Sequence, residues 1–219
     1  MKIRNIIFDF DGTLMDTAPL IVATMRDTIK ELGLPEITEE ACRSTIGLRL
    51  EDIPGVLFPE MTGLSKLYAS TYRRIFTEKN REIIPVPYPG VIDTLKELHA
   101  EGYGMSVASS RSHRSLLEFT ESLGITDIFS LLVGGDDVGK AKPDPEPVVM
   151  TCKEMRWDPR QTLVVGDTIF DIEMGARAGA ETCGMTYGNQ SRAQLQSANP
   201  TYIINSFPQL QEVLISSAS

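Results

Sequence analysis

The stretch that decides the fold is IRNIIFDFDGTL, residues 3–14, an apolar run that ends in two aspartates one residue apart. A short apolar run of this kind predicts a strand that is buried on both faces of a parallel sheet. Ligands of open α/β sheets bind outside the carboxyl ends of the strands. Asp9 and Asp11 are therefore candidates for the chemistry of this protein.

The spacing of the two aspartates has a physical consequence. Alternation along a strand points both carboxylates the same way, and Gly12 lets the chain turn sharply beside them. Like charges held so close repel, and a shared cation or a shared proton relieves the repulsion. An ordinary Asp-Gly turn is the alternative interpretation of this segment alone.

Length and composition restrict the functional classes. The chain has 219 residues, 42% of them hydrophobic, which is enough for one sizeable domain or for a main domain with an insert. A net charge of −9 disfavours nucleic acid and anionic membranes as partners, so an anionic substrate would need local positive charge or a metal. The apolar runs are too short for a membrane span, and the start lacks the pattern of a secretory signal. We expect a cytoplasmic protein with Cys42, Cys152 and Cys183 as reduced thiols.

The spacing of apolar residues changes twice along the sequence. Residues 17–83 show amphipathic helical spacing, and they predict a helical domain inserted after the first strand. The proline-rich residues 83–89 are interpreted as the return linker. Residues 1–16 and 84–219 then form the α/β core, whose tail from Ser216 is expected to fray.

Strands and helices alternate from Gly90 onward, which favours a doubly wound, Rossmann-like parallel sheet covered by helices on both faces. The predicted strands are residues 104–109, 131–134, 162–165, 181–185 and 202–204. The predicted helices between them are residues 91–101, 115–123, 145–155 and 169–178.

Polar residues follow three of these later strands. Ser109 and Ser110 could hold an anion with nearby backbone amides or could simply cap a helix. The loop at residues 139–145 brings two lysines to a helix start, where a lysine can neutralise carboxylates and bind phosphate. Asp167 ends the strand at 162–165, and Asp171, one helical turn later, either faces back toward it or caps the helix.

Taken in order, these motifs resemble those of the haloacid dehalogenase-like hydrolase superfamily, in particular its phosphatases. Residues 9–13, Asp-Phe-Asp-Gly-Thr, match the first motif, Ser109 the second, Lys140 the third, and residues 166–171 the fourth. The family spacing selects Lys140 and leaves Lys142 in reserve. The resemblance also implies that residues 17–83 form a small helical cap.

The resemblance implies a role for each residue. Asp9 is the nucleophile that forms an aspartyl-phosphate, and Asp11 is the proton carrier. Mg²⁺ is held by Asp9, Asp167 and the backbone carbonyl of Asp11. The phosphoryl group is held by Ser109, Ser110 and Lys140, with Gly12 and Thr13 shaping the cradle and Asp171 in support.

The implied function is Mg²⁺-dependent hydrolysis of small phosphorylated metabolites, possible examples being phosphoglycolate and inorganic pyrophosphate. A β-phosphoglucomutase-like phosphotransferase and a non-catalytic binding protein on the same fold are the alternatives. Arg49, after Gly47 in the cap, is a candidate contact to the substrate or a solvated side chain. The sequence leaves the physiological substrate and the oligomeric state open.

Overall fold

A computed structural model describes residues 2–81 and 83–217 of the chain. Its strands are β1 (Asn5–Phe8), β2 (Met15–Asp16), β3 (Val86–Pro87), β4 (Gly104–Ala108), β5 (Leu131–Val133), β6 (Thr162–Gly166), β7 (Glu181–Met185) and β8 (Tyr202–Ile204). Six of them form one parallel sheet in the order β5-β4-β1-β6-β7-β8. The predicted α/β fold with a parallel sheet is confirmed.

Six helices cover the two faces of this sheet: α5 (Val91–Ala100), α6 (His113–Ser122), α7 (Glu146–Met155), α8 (Ile169–Arg177), α9 (Arg192–Ser197) and α10 (Leu210–Ser216), numbered after four earlier helices in the chain. The last two were not predicted, because their six and seven residues are too short for a clear helical period. Helix α10 reaches Ser216, and residues 218 and 219 of the predicted frayed tail lie outside the described residues.

Strand β1 lies at the centre of the sheet because its side chains are apolar on both faces. Ile6, Ile7 and Phe8 are fully buried, which stabilises the fold by about 1.5–3 kcal/mol for each side chain. Phe8 is in register with Val107 of β4 and with Val165 of β6. The chain segments that follow these three strands, including Asp9, therefore leave the sheet side by side at one edge.

The first four helices, which we call the cap, are α1 (Ala18–Glu31), α2 (Glu39–Ser44), α3 (Ile53–Leu57) and α4 (Ser65–Lys79). They enclose a hydrophobic cluster of their own that includes Met25, Ile29, Cys42 and Tyr68. The domain limits at residues 17 and 83 stay a prediction, and residue 82 lies outside the described residues. In the part of the chain that is described, no helix is both long and apolar enough to cross a membrane.

Strands β2 and β3 form a separate antiparallel ribbon; β2 precedes the first cap helix in the chain, and β3 follows the last. Met15 pairs with Pro87, and Asp16 pairs with Val86. Strand β3 lies in the segment predicted as a linker, and the pairing was not foreseen because it spans only two residues and includes a proline, which a sheet tolerates at an edge. The chain therefore enters and leaves the cap through two adjacent strands.

Candidate active site

Asp9 follows β1 directly and is buried beside a lysine. Lys142 Nζ donates to Asp9 Oδ1 at 2.5 Å and to Asp171 Oδ1 at 2.6 Å. No hydrogen bond to Asp9 Oδ2 is found among residues 2–81 and 83–217. One carboxylate oxygen of Asp9 is thus held in place, while the other is available for a substrate or a cation.

The structure corrects the choice between the two lysines. The side chain of Lys142 is 2% exposed, whereas that of Lys140 is 74% exposed and lies 3.7 Å from Asp144. Only one residue separates them, but the backbone of this loop directs Lys142 inward and Lys140 toward solvent. The prediction that Lys140 is the lysine of the site is therefore wrong, and Lys142, the residue held in reserve, lies there instead.

Asp11 has a different cationic partner from Asp9. Arg111 donates from Nη2 to Asp11 Oδ1 at 2.5 Å and from Nε to Oδ2 at 3.2 Å. The guanidinium lies 4.7 Å from the Phe119 ring centroid and 5.2 Å from that of Phe76. Both oxygens of Asp11 are therefore engaged by one buried arginine at the boundary between core and cap.

Asp167 follows β6 and is surrounded by donors. Thr13 donates its hydroxyl proton to Asp167 Oδ1 at 3.1 Å, and Asn189 donates to Oδ2 from its backbone N–H at 2.6 Å and from Nδ2 at 2.8 Å. Gly12, at φ +90°, has no room for a Cβ, which would lie 2.2 Å from Asp167 Oδ2. The glycine lets the turn after β1 approach this carboxylate closely.

Asp171 combines the two roles that the sequence left open. Its Oδ2 accepts from the backbone N–H of Thr168 at 3.1 Å and from the Thr168 hydroxyl at 2.7 Å, which caps helix α8. Its Oδ1 accepts a hydrogen bond from Lys142 Nζ at 2.6 Å. The start of the helix therefore holds the lysine in position against Asp9.

The serines after β4 lie at the wall of a cavity of about 1080 Å³ between core and cap, which Asp9 and Asp11 also line. The Ser109 hydroxyl accepts from the backbone N–H of Arg111 at 3.2 Å. Ser110 Oγ donates to the carbonyl of Gly47 in the cap at 2.6 Å. The cavity is therefore closed on one side by a direct bond between core and cap.

Arg49 lines the same cavity from the cap side. Its Nη2 donates to the carbonyl of Val138 in the core at 3.2 Å. Its Nε is buried without a hydrogen-bond partner among the described residues. The residue is half-buried, and its Nε is a donor that a ligand could use.

The carboxylates of Asp9, Asp167 and Asp171 carry more negative charge than Lys142 can balance. Burial raises the pKa of Asp9 well above its usual range; the attraction of Lys142 opposes this rise but does not reverse it, and repulsion by Asp171 and Asp167 adds to it. Burial and repulsion by Asp171 raise the pKa of Asp167 to about 7, although hydrogen bonds from Asn189 and Thr13 oppose the shift. A bound cation would relieve the repulsion among these carboxylates.

The donor set fits a hard divalent cation. One oxygen from each of Asp9, Asp167 and Asp171 lies within 4.8 Å of the other two. All three donors are carboxylates, which are the ligands that Mg²⁺ prefers. The Asp11 side chain, in contrast, faces Arg111, so Asp11 could take part through its backbone carbonyl only.

Two functional candidates were missed by sequence reasoning. Asn189 lies in the loop after β7, at the same edge of the sheet as Asp9, and this position was the signal that could have found it. Arg111 directly follows the two serines, but its pairing with Asp11 joins residues 100 positions apart and depends on rings from α4 and α6.

Comparison with known proteins agrees with this geometry. The family model described as haloacid dehalogenase-like hydrolase matches residues 6–185. The chain is 35% identical over 189 residues to a phosphoglycolate phosphatase of Aquifex aeolicus, covering 84% of this chain and 85% of that protein. It is 34% identical over 207 residues to pyrophosphatase PpaX of Oceanobacillus iheyensis, covering 93% of each.

A solved structure is similar over nearly the whole chain. It is a haloacid dehalogenase-like hydrolase from Bacteroides fragilis, with a TM-score of 0.86 and 27% identity, covering 95% of this chain and all of that one. The chain therefore belongs to the haloacid dehalogenase-like hydrolase family. Within that family it is an enzyme of the phosphatase branch.

Proposed function

We propose that this enzyme is a Mg²⁺-dependent phosphatase of small phosphorylated metabolites that works through an aspartyl-phosphate on Asp9. The observation that supports this most directly is the buried contact of Asp9 Oδ1 with Lys142, because Asp9 lines the cavity and its Oδ2 has no hydrogen bond to any described residue. Covalent catalysis of this kind divides one difficult displacement into two easier ones.

In the first step Asp9 Oδ2 attacks phosphorus, and the bond from phosphorus to the ester oxygen breaks. Asp11 gives its proton to the departing alkoxide. In the second step water attacks the same phosphorus, Asp11 takes the proton of the water, and the phosphoryl bond to Asp9 breaks to release phosphate. One carboxyl group can serve both steps when it lies within reach of both oxygens.

Other side chains position the phosphoryl group. In this proposal Ser109 and Lys142 hold its oxygens, with Lys142 in the role that the sequence gave to Lys140; both residues lie beside the cavity or Asp9. Asp9, Asp167 and the backbone carbonyl of Asp11 would hold Mg²⁺, with Asp171 fixing the lysine. Bound Mg²⁺ supplies charge neutralisation where an anionic substrate meets an anionic nucleophile.

The relatives suggest two substrates. Phosphoglycolate is the leading candidate and inorganic pyrophosphate the second, because similar proteins are named for each activity. The free Nε of Arg49 in the cavity wall is consistent with a substrate that carries a further anionic group. A cytoplasmic location is part of the proposal, since Cys42, Cys152 and Cys183 are buried free thiols.

The test is phosphate release in the presence of Mg²⁺ from phosphoglycolate, pyrophosphate, hexose phosphates, glycerol phosphate and nucleotides, ranked by kcat/KM. Asp9→Asn should lower kcat by about 10³-fold or more, because loss of a nucleophile removes the covalent route. Asp127→Asn makes the same change at an exposed position and should have no effect. Undiminished release by Asp9→Asn would disprove the mechanism, and exchange of sugar-phosphate isomers without phosphate release would assign a mutase instead.

A further inference from the structure

The pairing of Arg111 with Asp11 raises a question about the proposed reaction. Asp11 is the proposed proton carrier, yet Arg111 engages both of its carboxylate oxygens. To reach a leaving-group oxygen, Asp11 has to give up at least one of these bonds. The two residues must therefore separate during the catalytic cycle.

Arg111 is the partner that stays in place. Its Nη1 donates to Ser115 Oγ at 3.0 Å, and its guanidinium lies within 5.7 Å of the ring centroids of Phe10, Phe76 and Phe119. The side chain is 7% exposed. Asp11 is 14% exposed, and Arg111 is the one hydrogen-bond partner of its carboxylate among the described residues, so the Asp11 side chain has more freedom to turn.

A buried arginine that loses its carboxylate is unfavourable. Removing one partner of a buried ion pair leaves an uncompensated charge, which costs much more than the pair contributes. A replacement anion would have to come from the cavity, because Arg111 lines it together with Asp9 and Asp11. A planar carboxylate or a phosphate presents two oxygens that match the two donors released by Asp11.

We infer that Arg111 is a specificity-determining residue, which binds a second anionic group on the leaving side of the substrate and thereby frees Asp11 for proton transfer. This rests on the proposed phosphatase function and extends it to a substrate class. The favoured substrates are phosphate esters or anhydrides whose leaving group carries a carboxylate or a phosphate. A substrate with a neutral leaving group offers no anion to replace Asp11 at Arg111, so the separation of these two residues remains unfavourable.

The experiment compares two esters of similar size in the presence of Mg²⁺: 2-phosphoglycolate, whose leaving group is anionic, and 2-hydroxyethyl phosphate, whose leaving group is neutral. The measured quantity is the ratio of their kcat/KM values. Arg111→Gln should lower this ratio by about 100-fold, since two charge-assisted hydrogen bonds to the substrate are lost. Arg111→Lys, which keeps the charge but not the paired donors, should lower it by about tenfold.

Two controls separate the possible outcomes. Arg114→Gln removes the same charge three residues further along the chain, at a side chain on the cavity rim that is 88% exposed and paired with Glu118, and it should leave the ratio unchanged. Arg49→Gln tests the half-buried arginine on the cap side of the cavity. A drop in the ratio that is confined to Arg49→Gln, or an equal drop in Arg114→Gln, would overturn the assignment to Arg111.

The neutral ester also reports whether a variant folds and works. Arg111→Gln should lower the hydrolysis of the neutral ester far less than that of 2-phosphoglycolate, because the neutral leaving group has no charge-assisted bond to the guanidinium to lose. If both esters are hydrolysed by an Asp9-dependent route and the ratio does not respond to Arg111→Lys or Arg111→Gln, the inference fails while the proposed function stands. If the unchanged enzyme hydrolyses neither these esters nor any other substrate of the screen, the proposed function fails and the inference fails with it.

Discussion

Replacing Lys142 by methionine removes the one cation that Asp9 and Asp171 share while keeping a side chain of similar length. Lys142 lies 2.5 Å from Asp9 Oδ1 and 2.6 Å from Asp171 Oδ1, and its side chain is 2% exposed. Burial alone would lower the pKa of Lys142, but the attraction of Asp171 and Asp9 outweighs it and raises the pKa. The ammonium group is therefore firmly charged, and its loss leaves one buried negative charge without compensation.

The resulting loss of stability has a ceiling, because the uncompensated carboxylate can take up a proton instead. At pH 7 this proton is bound about three pH units above the ordinary pKa of an aspartate, which costs about 4 kcal/mol at 1.36 kcal/mol per unit. At pH 5 the difference is about one unit, and the cost falls to about 1.5 kcal/mol. We therefore expect Lys142→Met to lower the free energy of unfolding by about 4 kcal/mol at pH 7 and by about 1.5 kcal/mol at pH 5.

The assay is urea unfolding of the metal-free protein at both pH values, with Lys140→Met as the matched control. Lys140 is 74% exposed and 3.7 Å from its nearest carboxylate, so its replacement should change the free energy of unfolding by less than about 0.5 kcal/mol. Equal losses for the two variants, or a loss for Lys142→Met that does not depend on pH, would refute this reasoning.

The remaining predictions concern Asp167 and the glycine beside it. The pKa of Asp167 is raised to about 7 in the folded protein, so the folded state keeps a proton that the unfolded chain releases near pH 4. The free energy of unfolding of the metal-free protein, measured in urea, should therefore fall between pH 4 and pH 7. Added Mg²⁺ should restore it. An equally large pH response in Asp167→Asn would contradict the assignment to Asp167. Gly12→Ala should weaken Mg²⁺ binding, measured by calorimetry, because its Cβ would lie 2.2 Å from Asp167 Oδ2. Gly102→Ala is the control, because Gly102 also has a positive φ but its added Cβ would meet no atom within 4 Å. An equal loss of Mg²⁺ affinity in Gly102→Ala would exclude crowding of Asp167 as the cause.

The general plan of the fold was predictable because it depends on periodicity and on the rules of parallel sheets. The run before Asp9 and the run before Asp167 are both apolar and short, and the structure makes them neighbouring strands β1 and β6. Since the carboxyl ends of parallel strands share one edge, residues 154 positions apart were expected to lie together. The contact between Thr13 and Asp167 follows from this placement.

The finer points of the site depended on side-chain directions that periodicity does not contain. Lys140 and Lys142 lie in an irregular loop, where neither helical nor strand geometry says which side chain faces inward. The two aspartates of the first motif were expected to share either a cation or a proton. In the structure each side chain pairs with a different cationic residue, Lys142 for Asp9 and Arg111 for Asp11. That separation depends on packing between core and cap, which no single segment of the sequence specifies.

The ribbon of β2 and β3 makes the cap a replaceable module. Because Asp16 pairs with Val86, the two ends of the intervening segment lie only one strand spacing apart, about 5 Å. A tight turn of two residues could join them and leave the register of the sheet undisturbed. Inserts of other lengths and shapes can be attached at the same point, so the surroundings of the substrate can diversify while the carboxylates at the sheet edge remain the same.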